Sequence, residues 1–180
     1  MSARLIFVSL LLLLLTACSL WSKQVVEPEN LILLPPEQGA VSSILKQVVT
    51  LTANNESSQF LVISKFEQQQ IKVVVLLATG QTLLTLDYDG KALKQTVSAD
   101  IDLPAEEMLA MMQFALWPEQ SLKDNYTIDK GWHLDINQQQ RVLSNYSGKL
   151  LSVNYQEDTM IEHHRHHYQL LIHTLERKAL

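Results

Sequence analysis

Residues 71–97 read IKVVVLLATGQTLLTLDYDGKALKQTV, and the fold class follows from them. Val73, Val75 and Leu77 alternate with Val74 and Leu76, in a run rich in β-branched residues. That period of two is the signature of a strand. Gly80-Gln81 breaks the run, and Leu83 opens a second one that closes at Tyr88. Asp89-Gly90 follows, a strong hairpin signal, and 91–97 runs back. The breaks are too short to hold crossover helices, so the strands must pair antiparallel as a meander.

The same pattern extends outward on both sides. Upstream, Val49, Leu51 and Ala53 alternate with Val48, Thr50 and Thr52, and 60–66 forms the next run. Downstream the period changes. Residues 103–117 predict a helix, with Pro104 suited to the first turn and Glu106-Glu107 complementing the dipole there. Met108, Leu109, Met111, Met112, Ala115 and Leu116 give it one broad apolar face, and Pro118 ends it. After a polar connection, strand-like runs resume at 132–136, 141–146, 150–155 and 168–175, with a turn at Ser147-Gly148. Two glutamine runs, 68–70 and 138–140, read as loop tips. The expected architecture is mainly β within the α+β class. It is a curved antiparallel sheet or open half-barrel covered by one main helix, in a single domain over residues 41–180.

An antiparallel sheet with one wet face alternates cleanly between apolar and polar residues. The central strands here are apolar on both faces, so both are covered or line something apolar. In one reading the helix packs inside, a tether or a second sheet packs outside, and the core is solid. In the other the curved sheet wraps a cavity that a single helix only partly fills. The second reading predicts a groove lined by some of Val73, Val75, Leu77, Leu84, Leu86, Met108, Met111 and Met112. Methionines are ordinary core filler, but their flexible thioethers also suit a surface that accepts varied apolar ligands. Trp117 and Trp132 are expected to close one end of the same core.

The N-terminus carries a different message. Arg4 precedes an apolar stretch, 5–15, interrupted only by Ser9. This is the layout of an export signal, and it is too short to span a bilayer comfortably. Leu15-Thr16-Ala17-Cys18 ends it, and Cys18 is the only cysteine. The tetrapeptide resembles a lipobox, which implies cleavage after residue 17 and acylation of Cys18. Residues 18–40, with Pro28, Pro35-Pro36 and Gly39, read as a tether whose patch 31–34 docks on the domain or starts a strand. Ser19 stands where an aspartate favours inner-membrane retention. The expected location is the outer membrane, lipid-anchored and facing the periplasm.

Composition narrows the function classes. The net charge is -5, without a basic stripe, so no nucleic-acid footprint is present. None of the five glycines sits in a phosphate-cradling pattern. A chain of this size buries roughly 70% of its unfolded surface and folds without a disulfide or metal. Asp87/Asp89 and Asp100/Asp102 have the spacing of turns, and His133 with Asp135 lacks a nucleophile to act on. No enzyme and no cofactor are expected. His163, His164, His166 and His167 form the most conspicuous cluster. Adjacent imidazoles on a hairpin have no fixed geometry, so the expectation is a solvated turn and no metal site.

Several of these stretches together carry a family resemblance. Leu103-Pro104 leads to Met108-Leu109-Ala110 and closes with Leu116-Trp117-Pro118. Trp132, Leu134 and Arg141-Val142-Leu143 follow, and Tyr168-Gln169-Leu170-Leu171-Ile172 forms the last strand. This pattern resembles a family of bacterial lipoproteins of unknown function, domain of unknown function 3261, often found with aryl polyene and lipid-biosynthesis genes. More distantly it is similar to the LolA/LolB lipoprotein carriers. The resemblance implies an open curved sheet, lidded by helices, that binds or hands over a lipid or acyl product without catalysis. The rival reading is a structural or assembly lipoprotein that binds an envelope protein partner.

Overall fold

The computed structural model describes residues 30–39, 41–98 and 104–180. Cys18, the signal segment and the first part of the expected tether lie outside the described residues. Ten strands form one antiparallel sheet: β1 (Ser43–Ala53), β2 (Glu56–Phe66), β3 (Ile71–Leu77), β4 (Thr82–Tyr88), β5 (Leu93–Val97), β6 (His133–Ile136), β7 (Gln140–Asn145), β8 (Gly148–Tyr155), β9 (Thr159–His163) and β10 (Tyr168–Ala179). Their spatial order is β5-β4-β3-β2-β1-β10-β9-β8-β7-β6. The sheet is therefore two five-stranded meanders, each built from sequence neighbours. The long pairing of β1 with β10, from Ser43↔Ala179 to Ala53↔Tyr168, welds them at the centre.

That topology places the helices. β5 and β6 are the two outer edges of the sheet, and the chain must travel from one to the other. It does so through α1 (Ala105–Leu116), which covers one sheet face, and α2 (Glu119–Asn125), whose Ser121 and Asn125 donate hydrogen bonds to Gln38. Leu109, Ala110, Met111, Phe114 and Ala115 of α1 are buried there. Each large apolar side chain so buried stabilises by roughly 1.5–3 kcal/mol. The open carbonyls at the C-terminus of α1 are met by the sheet. Arg141 donates to Phe114 O (2.7 Å) and Trp117 O (2.9 Å), and Tyr155 OH donates to Ala115 O (2.6 Å). A cation at that end also complements the helix dipole. Among the described residues no helix is long and apolar enough to cross a membrane.

Two elements depart from the sequence expectation. The polar connection contains α2, whose seven residues bury only Leu122 and so show no apolar period. The strand β9 was hidden because it is five residues long and ends inside the histidine cluster. The main helix begins at Ala105, with Pro104 in the N-cap position, and Leu103 lies outside the described residues.

The patch 31–34 docks on the domain. Leu31 and Leu34 are buried. Gln113, fully buried on α1, accepts from Leu34 N–H (2.8 Å) and donates to Leu34 O (2.6 Å). Gly39 then passes flat against Trp117. A β-carbon on Gly39 would stand 2.9 Å from both Pro36 O and the Trp117 ring. At the far end of the core, Phe66 meets Trp117 edge-on, and Tyr126 meets both Phe114 and Trp132 the same way. Tyr126 also holds Ile32 through its hydroxyl, and burial pushes its pKa up to about 12.

Candidate functional site

Period-two alternation delivers an apolar inner face. In register, Ile172 faces Val49, which faces Phe60, and Leu170 faces Leu51. The next rows pair Val62 with Val75 and Val73 with Leu86. Between this face and α1 lies a cavity of about 310 Å³. Its walls are apolar except for Gln47 and Tyr168. Gln47 is already satisfied by Thr174 (3.1 Å). A cavity of this size falls at the lower end of ordinary ligand pockets.

Six of the eight groove residues named from sequence line this cavity: Val73, Val75, Leu86, Met108, Met111 and Met112. Leu77 and Leu84 do not. Leu77 sits at the end of β3, half-buried on the rim of the core. Leu84 is fully buried. The β3–β4 register also shifts here: Val75 pairs with Leu84 but Leu76 pairs with Thr82, leaving Leu83 as the extra residue. That bulge turns Leu83 onto the cavity wall, and Leu84 packs into the core. Sequence reasoning also missed the contribution of β1, β2, β9 and β10: Val49, Leu51, Phe60, Ile161, Leu170 and Ile172. The runs of β1, β2 and β10 were visible in the sequence, while β9 was not, and neither was which runs become neighbours.

At one end of the cavity stands a polar cluster. Tyr168, the first residue of β10, lies opposite His163, the last of β9, and their rings stack at 5.1 Å. Tyr168 donates its hydroxyl to Glu107 Oε1 (2.9 Å), and Met111 Sδ lies 3.2 Å from the same hydroxyl. His163 Nε2 is 3.2 Å from Glu107 Oε1, and His166 Nε2 is 3.6 Å from Glu107 Oε2. The backbone N–H of His166 donates to His163 Nδ1 (3.1 Å), which places the His163 ring proton on Nε2, facing Glu107.

This corrects two expectations. The histidine cluster is not a solvated turn without geometry: His163 is only 3% exposed and makes four ring and hydrogen-bond contacts around it. Glu107 does more than complement a helix dipole, since it joins α1 to β9 and β10. Burial holds the His163 pKa below its usual value, against the opposing pull of the Glu107 carboxylate. Burial, followed by the bond to Glu107, raises the Tyr168 pKa and keeps the phenol protonated. A second, more polar cavity of about 500 Å³ borders the cluster, with Pro104, Glu106, Gln95 and His166 among its walls. Pro104 lines both cavities. His133 and Asp135 lie far along the sheet on β6, exposed.

Comparison with known proteins places the chain. No curated protein matches it. Three solved structures are similar at low identity. One is a domain assigned to outer membrane lipoprotein sorting from Vibrio parahaemolyticus, at 12% identity and a TM-score of 0.42, covering 80% of this chain and 87% of that one. The second is a LolA superfamily protein from Nitrosomonas europaea, at 8% identity and a TM-score of 0.44, covering 81% and 90%. The third is a DUF1329 family protein from Desulfovibrio piger, at 7% identity and a TM-score of 0.36, covering 79% and 87%. The profile of the family described as "Protein of unknown function (DUF3261)" matches residues 44–176, from the start of β1 to near the end of β10, and the chain belongs to that family.

Proposed function

We propose that this protein is an envelope lipoprotein, acylated on Cys18 and held at the outer membrane facing the periplasm, that binds or hands over an acyl or aryl-polyene-type chain. The observation that carries the reading is the cavity between the sheet and α1, with its nearly unbroken apolar wall. Holding a flexible hydrocarbon needs only such a wall, and the three methionines on α1 can re-pack around chains of different shape. Leu15-Thr16-Ala17-Cys18 supports the anchor, because one or more acyl chains confer membrane affinity at about 0.8 kcal/mol per buried methylene.

The test is native mass spectrometry with lipid extraction on the chain from Ser19 onward, produced without its anchor. A stoichiometric acyl-containing adduct, displaced by a fluorescent fatty acid, is the expected result. Absence of both an adduct and fatty-acid uptake would overturn the carrier reading. A specific observation favours the rival partner-binding reading in that event. Met160 and Leu171 pair with each other across β9 and β10, and both are exposed.

A further inference from the structure

We infer that Glu107, His163 and His166 form a binding site for a divalent transition-metal ion of the zinc type. The three residues come from three places: the first turn of α1, the end of β9 and the β9–β10 turn. Each offers one ligand atom, and these atoms lie within 4.8 Å of one another. Two donors held about 2.1 Å from a tetrahedral ion stand about 3.4 Å apart. The two carboxylate oxygens each face one imidazole at close to that value: His163 Nε2 stands 3.2 Å from Glu107 Oε1 and His166 Nε2 stands 3.6 Å from Glu107 Oε2, so either oxygen can serve as the single carboxylate donor. Two imidazoles and one carboxylate are a donor set that suits zinc, nickel or copper and not magnesium or calcium. With three protein ligands, a fourth position stays open to water or another donor.

The buried and exposed members have separate tasks. His163 is packed in place by Tyr168 and the turn, so its ring is oriented before any ion arrives. His166 is half in solvent and can swing onto the ion. Tyr168, bonded to Glu107, acts as the outer partner that orients the carboxylate. One local change must accompany binding. His163 Nε2 carries the ring proton in the metal-free geometry, so an ion on Nε2 moves that proton to Nδ1. The His166 N–H must then leave Nδ1, and the 163–166 turn relaxes. The site thus couples metal binding to the shape of the β9–β10 turn, beside the wall of the apolar cavity.

The experiment is zinc titration by calorimetry and chelator competition on the protein stripped with a chelator, together with long-range ¹H–¹⁵N spectra of the histidine rings. Wild type is expected to bind one zinc, with the His163 tautomer changing from Nε2–H to Nδ1–H. Glu107→Gln and His166→Ala should each lower zinc affinity at least tenfold. His166 is exposed, so its replacement leaves the fold intact and tests the site even if Glu107→Gln loosens α1. The double change His164→Gln with His167→Gln, which touches only other imidazoles of the tract, should leave the affinity unchanged. Loss of binding in that double variant with retention in Glu107→Gln and His166→Ala would overturn the assignment in favour of adventitious surface binding. No stoichiometric zinc, or an unchanged His163 tautomer at saturation, would overturn it as well. None of these readouts depends on lipid uptake, so the site stands or falls apart from the carrier reading.

Discussion

The Tyr168 hydroxyl donates to the Glu107 carboxylate across 2.9 Å, joining the start of the last strand to the first turn of the covering helix. These residues are 61 positions apart in the chain. The bond closes the end of α1 that carries no side-chain cap of its own, since Pro104 occupies the N-cap position. It also sets the edge of the apolar cavity, which Tyr168 lines.

Removing that hydroxyl tests the clasp. Tyr168→Phe keeps the ring that stacks on His163 and deletes the donor to a charged acceptor. The expected cost is about 1–3 kcal/mol, read as a lower urea midpoint with an unchanged slope. An unchanged midpoint would show that water replaces the hydroxyl at no loss.

Gln113 is the counterpart on the other side of the helix. Gln113→Leu matches it in volume but leaves both Leu34 N–H and Leu34 O buried without a partner. Each orphaned group costs about 1–3 kcal/mol. The variant should lose several kcal/mol in total, and limited proteolysis should cut first within 30–39. Wild-type resistance of that segment in the variant would contradict the docking role.

The cavity is probed by filling it. Met108 lines the cavity but is only partly buried, so a larger side chain has room to adjust. Met108→Trp should change the thermal midpoint by only a few degrees while cutting fluorescent fatty-acid uptake at least tenfold. In a solid core the same change would overpack, at typically 1–3 kcal/mol. A clear loss of stability with uptake absent in wild type too would favour the partner-binding reading.

Burial of His163 makes an acid-side prediction for the metal-free protein. Its folded pKa lies below the ordinary 6.5, so the unfolded chain takes up a proton first as pH falls. From about one pH unit above 6.5 upward the residue is neutral in both states and contributes no slope. Below it, stability falls until the folded form is protonated as well. The groups around it act on this in both directions: Glu107 raises the pKa, while His166 and Arg165 lower it. Urea midpoints at pH 7.5, 6.5 and 5.5 should therefore drop more steeply in wild type than in His163→Gln. Parallel slopes would refute the assignment.

Several features were legible in the residues alone. The two-residue period of 71–88 announced β3 and β4, Asp89-Gly90 announced their continuation into β5, and the apolar stripe before Pro118 announced α1. These are local properties, because each strand or helix repeats its own pattern along one stretch of chain. Six cavity residues could be named for the same reason: α1 and the central strands display their inward faces in sequence. Other features have no local trace. α2 buries a single leucine, and the bulge that adds Leu83 to the cavity wall depends on how β3 and β4 slide past each other. The pairing of β1 with β10 joins the two ends of the domain, and the β5-to-β6 connection has to cross the sheet because of it. That crossing brings Glu107 onto His163 and Tyr168. The sequence by itself determined which segments are strands, which is the helix and which of their faces are apolar. Only the tertiary structure determined that a cavity lies between them and that one carboxylate and two histidines converge beside Tyr168 on its wall, lining a second, more polar cavity. Local patterns set secondary structure, but convergence of side chains distant in the chain is a property of topology and register.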